Sequence, residues 1–440
     1  MNELSSSARF VRDQISLPPP LPPDVPPRAR NLRTGPFGVV DVGSTKIACL
    51  IGRTESDGSL RALGSGFTRA RGVRGGGITD LDEAERAIRA AVALAEEMAD
   101  YRLRSVTVNL SCGHPESRLF NVQWPVGGRQ VTEADVRRVI TEGRARAVTE
   151  GRETIHSLPV SFSVDETQGV ADPRGHHCDQ LSARLHVVDA LSMALRNLGA
   201  AVGRCDLEIS EVVSAPFASG LSCLVDDERD LGATVVDMGG GTTSLAVFGE
   251  GQLLHTAQVP IGGQHVTRDI AGVLSTPIDN AERLKTLYGN AHSSPDDERE
   301  ILAVQLIGEE DHQFAKIPRS MVVGIIKPRL EETFEMVRDR LDGAGLGRAA
   351  GSRVVLTGGA SQLVGVRDLA ANVLNRPVRL GRPAGMRGLP DSASGPAFAT
   401  AIGLLSWAAG EGRSLHDIDL EPGRPAGLLR RIVDFLRERL

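Results

Sequence analysis

The chain has 440 residues, 41% of them hydrophobic and 24% charged, the balance of a globular protein too long for one ordinary core. A net charge of −6 lacks the basic excess by which proteins hold nucleic acid, so no nucleic-acid partner is expected. Five cysteines (Cys49, Cys112, Cys178, Cys205, Cys223) without a Cys-x-x-Cys pair match a reducing cytosol, no apolar run reaches the roughly 18 residues of a membrane span, and the N-terminus lacks a signal-peptide apolar core.

Residues 1–35 are polar and then proline-dense (Leu17-Pro18-Pro19-Pro20-Leu21-Pro22-Pro23), which predicts a disordered or polyproline-II arm, either a ligand for an aromatic groove or a plain extension. From Phe37 a first hairpin is expected: Val39-Val40, the turn Asp41-Val42-Gly43-Ser44-Thr45-Lys46, then the apolar run Ile47 to Ile51. A helix from Leu81 to Asp100 opens on Asp80 with Glu83 three residues on, a capping-box-like start, and Ala84, Ile88, Ala91, Leu94 and Met98 form its predicted inner face.

Between residues 104 and 187 the pattern changes to period-two strands (Ser105 to Leu110, Val160 to Val164, Ala183 to Val187) around a helix from Glu133 to Ala147, which predicts an inserted α+β subdomain. Its Gly175-His176-His177-Cys178 cluster has metal-ligand residue types but no fourth ligand at a sensible spacing. From residue 231 the first pattern returns: Val235-Val236, the turn Asp237-Met238-Gly239-Gly240-Gly241-Thr242-Thr243-Ser244, then Leu245 to Phe248. A helical stretch follows over 265–326, where Thr276-Pro277 reads as an N-cap with proline in first position and Gly289 as a stop. There Glu282 and Lys285 fall one turn apart on one face, either to hold a ribose and base edge or as a surface ion pair. A helix is expected from Leu330 to Leu341, then a strand Val354 to Thr357 that ends in Gly358-Gly359-Ala360-Ser361 and opens a helix from Val364 to Leu374. Residues 409–426 read as a flexible linker. Over 427–440, Leu428, Leu429, Ile432, Val433, Phe435, Leu436 and Leu440 share an arc of about 160° at 100° per residue, with Arg430, Arg431 and Arg437 opposite or at its margin. Such a helix either packs on the body or lies in a membrane interface.

The repeated Asp-led turns carry the chemistry. Glycine lets the main chain approach an anion closely, so successive N–H groups at Gly43, Gly239, Gly240 and Gly241 can point at phosphate oxygens, with Ser44, Thr45, Lys46, Thr242 and Thr243 as further donors. Asp41 and Asp237 suit Mg2+ held through its waters, and Gly358-Gly359 would let a purine lie against bare backbone. The expected architecture is α/β, with two related halves (36–103 with 188–230, and 231–264 with 327–408) around a nucleotide cleft for ATP and Mg2+.

Together with Arg71-Gly72-Val73-Arg74-Gly75-Gly76-Gly77-Ile78-Thr79-Asp80-Leu81, Asp227-Glu228-Arg229-Asp230-Leu231-Gly232, Ala281-Glu282-Arg283-Leu284-Lys285, Leu356-Thr357-Gly358-Gly359-Ala360 and Ala401-Ile402-Gly403-Leu404-Leu405, these turns resemble the actin, Hsp70 and sugar-kinase superfamily and, within it, the bacterial cell-division FtsA family. The resemblance implies an actin-like ATPase fold with its insertion in the first half, self-association into filaments, and tethering of the FtsZ ring to the cytoplasmic face of the plasma (inner) membrane at the division site. It also implies recruitment of later division proteins, an insertion used in polymer and partner contacts, and FtsZ contact at Arg319, with Lys327 and Arg329 as further candidates. Leu428, Leu429, Ile432, Val433, Phe435 and Leu436, with Arg430 and Arg431, would bind anionic inner-membrane lipids. A phosphotransferase of the sugar-kinase type is the alternative, but no motif places a carboxylate base beside a terminal phosphate. An Hsp70-like motor would need a substrate-binding β domain, for which no room remains after residue 410. Where relatives place Glu or Gln before the Pro-containing turn, this chain has Ser214-Ala215-Pro216, and Glu208 and Glu211 lie nearby in sequence. No catalytic residue is therefore assigned, and at most slow ATP hydrolysis is expected.

Overall fold

The computed structural model describes residues 35–308, 314–346, 351 and 353–410. The proline-dense arm, all but the first two residues of the linker expected over 409–426, and the helix expected over 427–440 lie outside the described residues.

The chain opens with β1 (Phe37–Val42), β2 (Lys46–Thr54), β3 (Leu60–Arg69), two short strands β4 (Val73–Arg74) and β5 (Gly77–Ile78), helix α1 (Leu81–Ala99) and β6 (Ser105–Leu110). Next come β7 (Glu116–Pro125), α2 (Glu133–Ala147), β8 (Arg152–Val164), β9 (Thr167–Val170) and β10 (Gln180–Leu191), then α3 (Ser192–Gly203), β11 (Glu208–Ser214), α4 (Ala215–Cys223) and α5 (Asp226–Leu231). The second part holds β12 (Ala233–Met238), β13 (Thr243–Gly249), β14 (Gln252–Val259), α6 (Gly263–Leu274), α7 (Ile278–Tyr288), β15 (Ile301–Gln305), β16 (Phe314–Pro318), α8 (Arg319–Gly343), β17 (Arg353–Thr357), α9 (Val366–Leu374), β18 (Val378–Leu380) and α10 (Ala399–Ala408).

Two five-stranded sheets share one plan: order β3-β2-β1-β6-β11 in the first, β14-β13-β12-β17-β18 in the second. In each, three consecutive strands pair antiparallel and two later strands add parallel. Both central strands are buried and β-branched, as a sheet covered on both faces requires. The hydrophobic core that joins the halves runs through α4 and α10, with Phe37, Val39 and Leu50 from one sheet and Val235, Phe248 and Val355 from the other.

The inserted unit is a four-stranded sheet, order β7-β10-β8-β9, with α2 packed on it over its own core of Val122, Val136, Ile140, Leu181 and Leu185. Its start differs from the boundary expected at residue 104. Strand Ser105–Leu110 pairs with β1 and β11 in the first sheet, because its Val106, Val108 and Leu110 are needed in that core.

Four local expectations are also revised. Helix α1 has the expected cap, Asp80 accepting from the Glu83 amide at 2.9 Å, but it buries Ala84, Ala87, Ile88, Ala91, Val92 and Ala95 and leaves Leu94 and Met98 exposed. The cause lies in β3: a Cβ on Gly64 or Gly66 would stand 2.1 Å from a carbonyl of α1, so the helix backbone rests on glycine and turns its alanine face inward. Thr276 is not an N-cap; its hydroxyl donates to the Gln305 carbonyl, and α7 starts after Pro277 and stops, as expected, at Gly289. The helix expected from Leu330 begins at Arg319 and runs through Pro328, whose missing N–H is outweighed by burial of Val322, Val323, Ile326, Leu330, Phe334 and Val337 on both sides. The helical region 265–326 also contains the hairpin β15–β16.

Candidate functional site

The two Asp-led turns are built alike. In the first, Asp41 pairs with Ala48 across the ladder and the Gly43 amide donates to the Lys46 carbonyl at 3.1 Å. In the second, Asp237 pairs with Ser244 and the Gly239 amide donates to the Thr242 carbonyl at 2.9 Å. The turn tips meet each other. A Cβ on Gly240 would lie 1.9 Å from Thr45 Oγ1, and one on Gly241 would lie 2.5 Å from Ser44 Oγ, so only glycine permits this approach. The Gln264 side-chain amide, at the start of α6, donates to the Ser44 carbonyl at 2.8 Å and adds a second tie between the halves.

Around this junction lies a cleft of about 980 Å³. The structure brings every sequence-predicted nucleotide residue to its wall: Asp41, Gly43, Ser44, Thr45, Lys46, Asp237, Gly239, Gly240, Gly241, Thr242, Thr243, Glu282, Lys285, Gly358 and Gly359. Burial pushes the Asp41 carboxyl up to about 6, with Lys46 opposing and Asp237 adding to the rise. Burial also raises Asp237, against the hydrogen bonds from Ser219 and Thr400. Lys46 is pushed down by burial, donates to the Ala397 carbonyl and lies 3.9 Å from the centroid of the Phe398 ring.

A buried carboxylate, Asp41, and a half-buried one, Asp237, beside one ammonium leave a site that a divalent cation would complete, and the Thr243 hydroxyl, 1% exposed on the cleft wall, is buried with no hydrogen-bond partner among the described residues. The donor set therefore fits a phosphate chain with Mg2+. Glu282 and Lys285 form the ion pair at 2.6 Å and also face the cleft, where Lys285 reaches the Gly263 carbonyl and the Thr267 hydroxyl at 3.1 and 2.8 Å. Ala215 lines the cleft as the first residue of α4, whereas Glu208 and Glu211 stand on β11 outside the lining.

The basic residues named for a partner all have internal acids. Arg319 bonds the Tyr288 carbonyl and Glu300 at 2.8 and 3.0 Å and lies 3.6 Å from Asp297; Arg329 pairs with Asp269 and Glu332; Lys327 lies 3.8 Å from Glu331. The predicted membrane residues lie outside the described residues.

The family model for cell division protein FtsA matches residues 234–403, and that for the SHS2 domain inserted in FtsA matches 112–189. A cell division protein FtsA of Rhizobium meliloti (strain 1021) is 43% identical over 393 residues, 86% of this chain and 89% of the relative. The chain belongs to the FtsA family of cell division proteins. Among solved structures, a chain of a PilM–PilN type IV pilus biogenesis complex is similar at a TM-score of 0.61 and 17% identity, covering 85% of this chain and 98% of that one. MreB5 of Spiroplasma citri, crystallised with ADP, is similar at a TM-score of 0.51 and 13% identity, covering 87% and 99%. At these identities the likeness concerns the actin-like ATPase fold, with the SHS2 domain as the family's insertion.

Two cleft residues, Thr400 and Gln264, and the fully buried Ser219 escaped the sequence reading. Ser219 and Thr400, which hold Asp237, sit inside helices α4 and α10 with no local signal of their role. Gln264 had a usable cue: Gly262-Gly263 where strand meets helix, the same signal that singled out Gly358-Gly359.

Proposed function

We propose that this FtsA-family chain binds ATP with Mg2+ between its halves, polymerises as an actin-like filament, and tethers the FtsZ ring to the cytoplasmic face of the plasma membrane at the division site, where it recruits later division proteins. The convergence of two equivalent phosphate turns on one cleft, in a chain of this family, carries the reading. Asp41 and Asp237 would hold Mg2+ through water, the turn amides and the Ser44, Thr45, Thr242 and Thr243 hydroxyls would take phosphate oxygens, Gly358-Gly359 would face the purine, and Glu282 and Lys285 the ribose and base edge. Bound Mg2+ supplies charge that offsets the phosphates. With Ala215 at the position where an acid or amide would orient water, turnover is slow, since a positioned base is typically worth about 10²–10⁴-fold.

The terminal segment supplies the membrane contact. Leu428, Leu429, Ile432, Val433, Phe435 and Leu436 would enter the interface while Arg430 and Arg431 meet anionic headgroups, each Arg adding about 1 kcal/mol. One helix of this length binds weakly; neighbouring tails on one filament raise one another's effective concentration. For FtsZ, Lys327 is the freest of the three basic residues to take a partner carboxylate, its internal acid being 3.8 Å away, whereas at Arg319 the partner must displace Glu300. Electron microscopy of the full chain on anionic lipid monolayers with ATP tests the reading. Filaments that require lipid, and that vanish on removal of residues 427–440, are expected. A truncated chain that floats with anionic liposomes as well as the full one would overturn the membrane role.

A further inference from the structure

Six cations line the cleft: Lys46, Arg69, Arg71, Arg74, Arg268 and Lys285. Four are engaged: Lys46 with the Ala397 carbonyl, Arg69 with Asp279 across the cleft mouth at 3.1 Å, Arg71 near Glu83, and Lys285 with Glu282. Arg74 and Arg268 have no hydrogen-bonding or ion-pairing partner among the described residues. Arg268 stands on the α6 wall. Arg74 is different, because the turn that carries it is docked on both phosphate turns at once.

That docking is specific. After Arg74 the chain reverses through Gly75 and Gly76, both at positive φ (56° and 80°). The Gly76 amide donates to Ser44 Oγ at 3.0 Å, and a Cβ on Gly241 would lie 2.9 Å from the Gly75 amide nitrogen. The β4–β5 turn thus covers the place where the two turn tips meet and leaves an exposed guanidinium beside it. The base end of the nucleotide, on the reading above, is fixed at Glu282 and Lys285 in the second half. Its phosphate tail runs to the tip junction under this turn.

We infer that Arg74 reads the terminal phosphate of the bound nucleotide and so distinguishes a nucleoside triphosphate from a diphosphate. The inference rests on the proposed nucleotide site and adds a specificity residue to it. The terminal phosphate carries the charge by which the two nucleotides differ, and a guanidinium takes two of its oxygens in a planar fork. Arg74 belongs to the first half and the base contacts to the second, so a triphosphate joins the halves through this residue and a diphosphate does not.

Calorimetry on the full chain with Mg2+ decides it, using ADP and a non-hydrolysable ATP analogue. Arg74→Ala is expected to weaken the analogue by about ten- to a hundred-fold, the worth of a charge-assisted hydrogen-bonded pair, and ADP by less than about threefold. Arg74→Lys, which keeps the charge but not the fork, falls between. The side chain is exposed, so circular dichroism should show both variants folded as wild type. Equal loss for the two nucleotides, or no loss for either, overturns the Arg74 assignment and leaves the nucleotide site standing. Failure of the wild type to bind either nucleotide overturns both.

Discussion

The two Asp-led turns share a backbone and differ in what surrounds their aspartates. Asp41 faces an ammonium, Lys46, which is itself held by a carbonyl and a phenyl ring. Asp237 faces hydroxyls, Ser219 and Thr400, from the two helices that cross between the halves. At the tips the first turn offers Ser44 and Thr45, and the second offers bare Gly240 and Gly241 to receive them. A repeated fold has thus divided its work: the first turn brings charge and donors, the second brings shape and an anchored carboxylate.

The largest expected effect tests the shape side. Gly240→Val drives a branched side chain into Thr45, 1.9 Å from the new Cβ, and should cut ATP·Mg2+ affinity by more than about a hundredfold in calorimetry while the inserted domain stays folded. Retained affinity would mean the tips are free to separate, and the division of work would be wrong.

Asp41→Ala and Asp237→Ala sharpen the contrast. Both should abolish Mg2+-dependent binding, yet their stabilities should move apart. A carboxyl raised to about 6 in the fold from 3.8 costs stability as pH rises between those values, and the cost persists above them. Asp41→Ala removes that cost and should match or exceed wild-type stability at pH 7, with the difference shrinking as pH falls below 6. Asp237→Ala removes a carboxyl that burial also raises, but with it the hydrogen bonds from two hydroxyls that Asp41 lacks, so it should gain less stability at pH 7 than Asp41→Ala in urea unfolding. Equal shifts in the two variants would break the comparison.

Proton release gives a smaller, independent reading. If Asp41 holds Mg2+ as proposed it must be ionised, so binding at pH 6 should release roughly half a proton from this group, seen as a buffer-dependent calorimetric heat that Asp41→Ala loses. The smallest effect belongs to Thr400→Val: Ser219 still serves Asp237, so affinity should fall only a few-fold, about the worth of one hydrogen bond.

The repeated turns were legible because their chemistry is local: a buried β-branched strand, an Asp, then glycines and hydroxyls, all within a dozen residues. Helix α2 was legible in full, since Glu133 to Ala147 carries its own periodicity and start signal. What period-two alternation cannot say is which sheet a strand joins, so Ser105–Leu110 was placed with its sequence neighbours in the insertion, whereas its partners β1 and β11 lie on either side of that insertion in sequence. The inner face of α1 was misjudged at Leu94 and Met98 because glycines in β3 decide how closely the helix approaches, a constraint invisible from the helix alone. The helix expected from Leu330 starts eleven residues earlier, at Arg319, because burial on both sides of Pro328 keeps α8 continuous. Ser219, Thr400 and Arg74 reach the site through tertiary placement, with no motif to announce the first two.

Amide hydrogen exchange on the full chain, with and without the non-hydrolysable ATP analogue and Mg2+, tests most directly whether one nucleotide is held by both turns. Protection is expected to rise together at residues 43–46, at 239–243 and at Gly358-Gly359. Protection of one turn alone, or of neither at saturating analogue, would contradict a nucleotide clamped between the two halves.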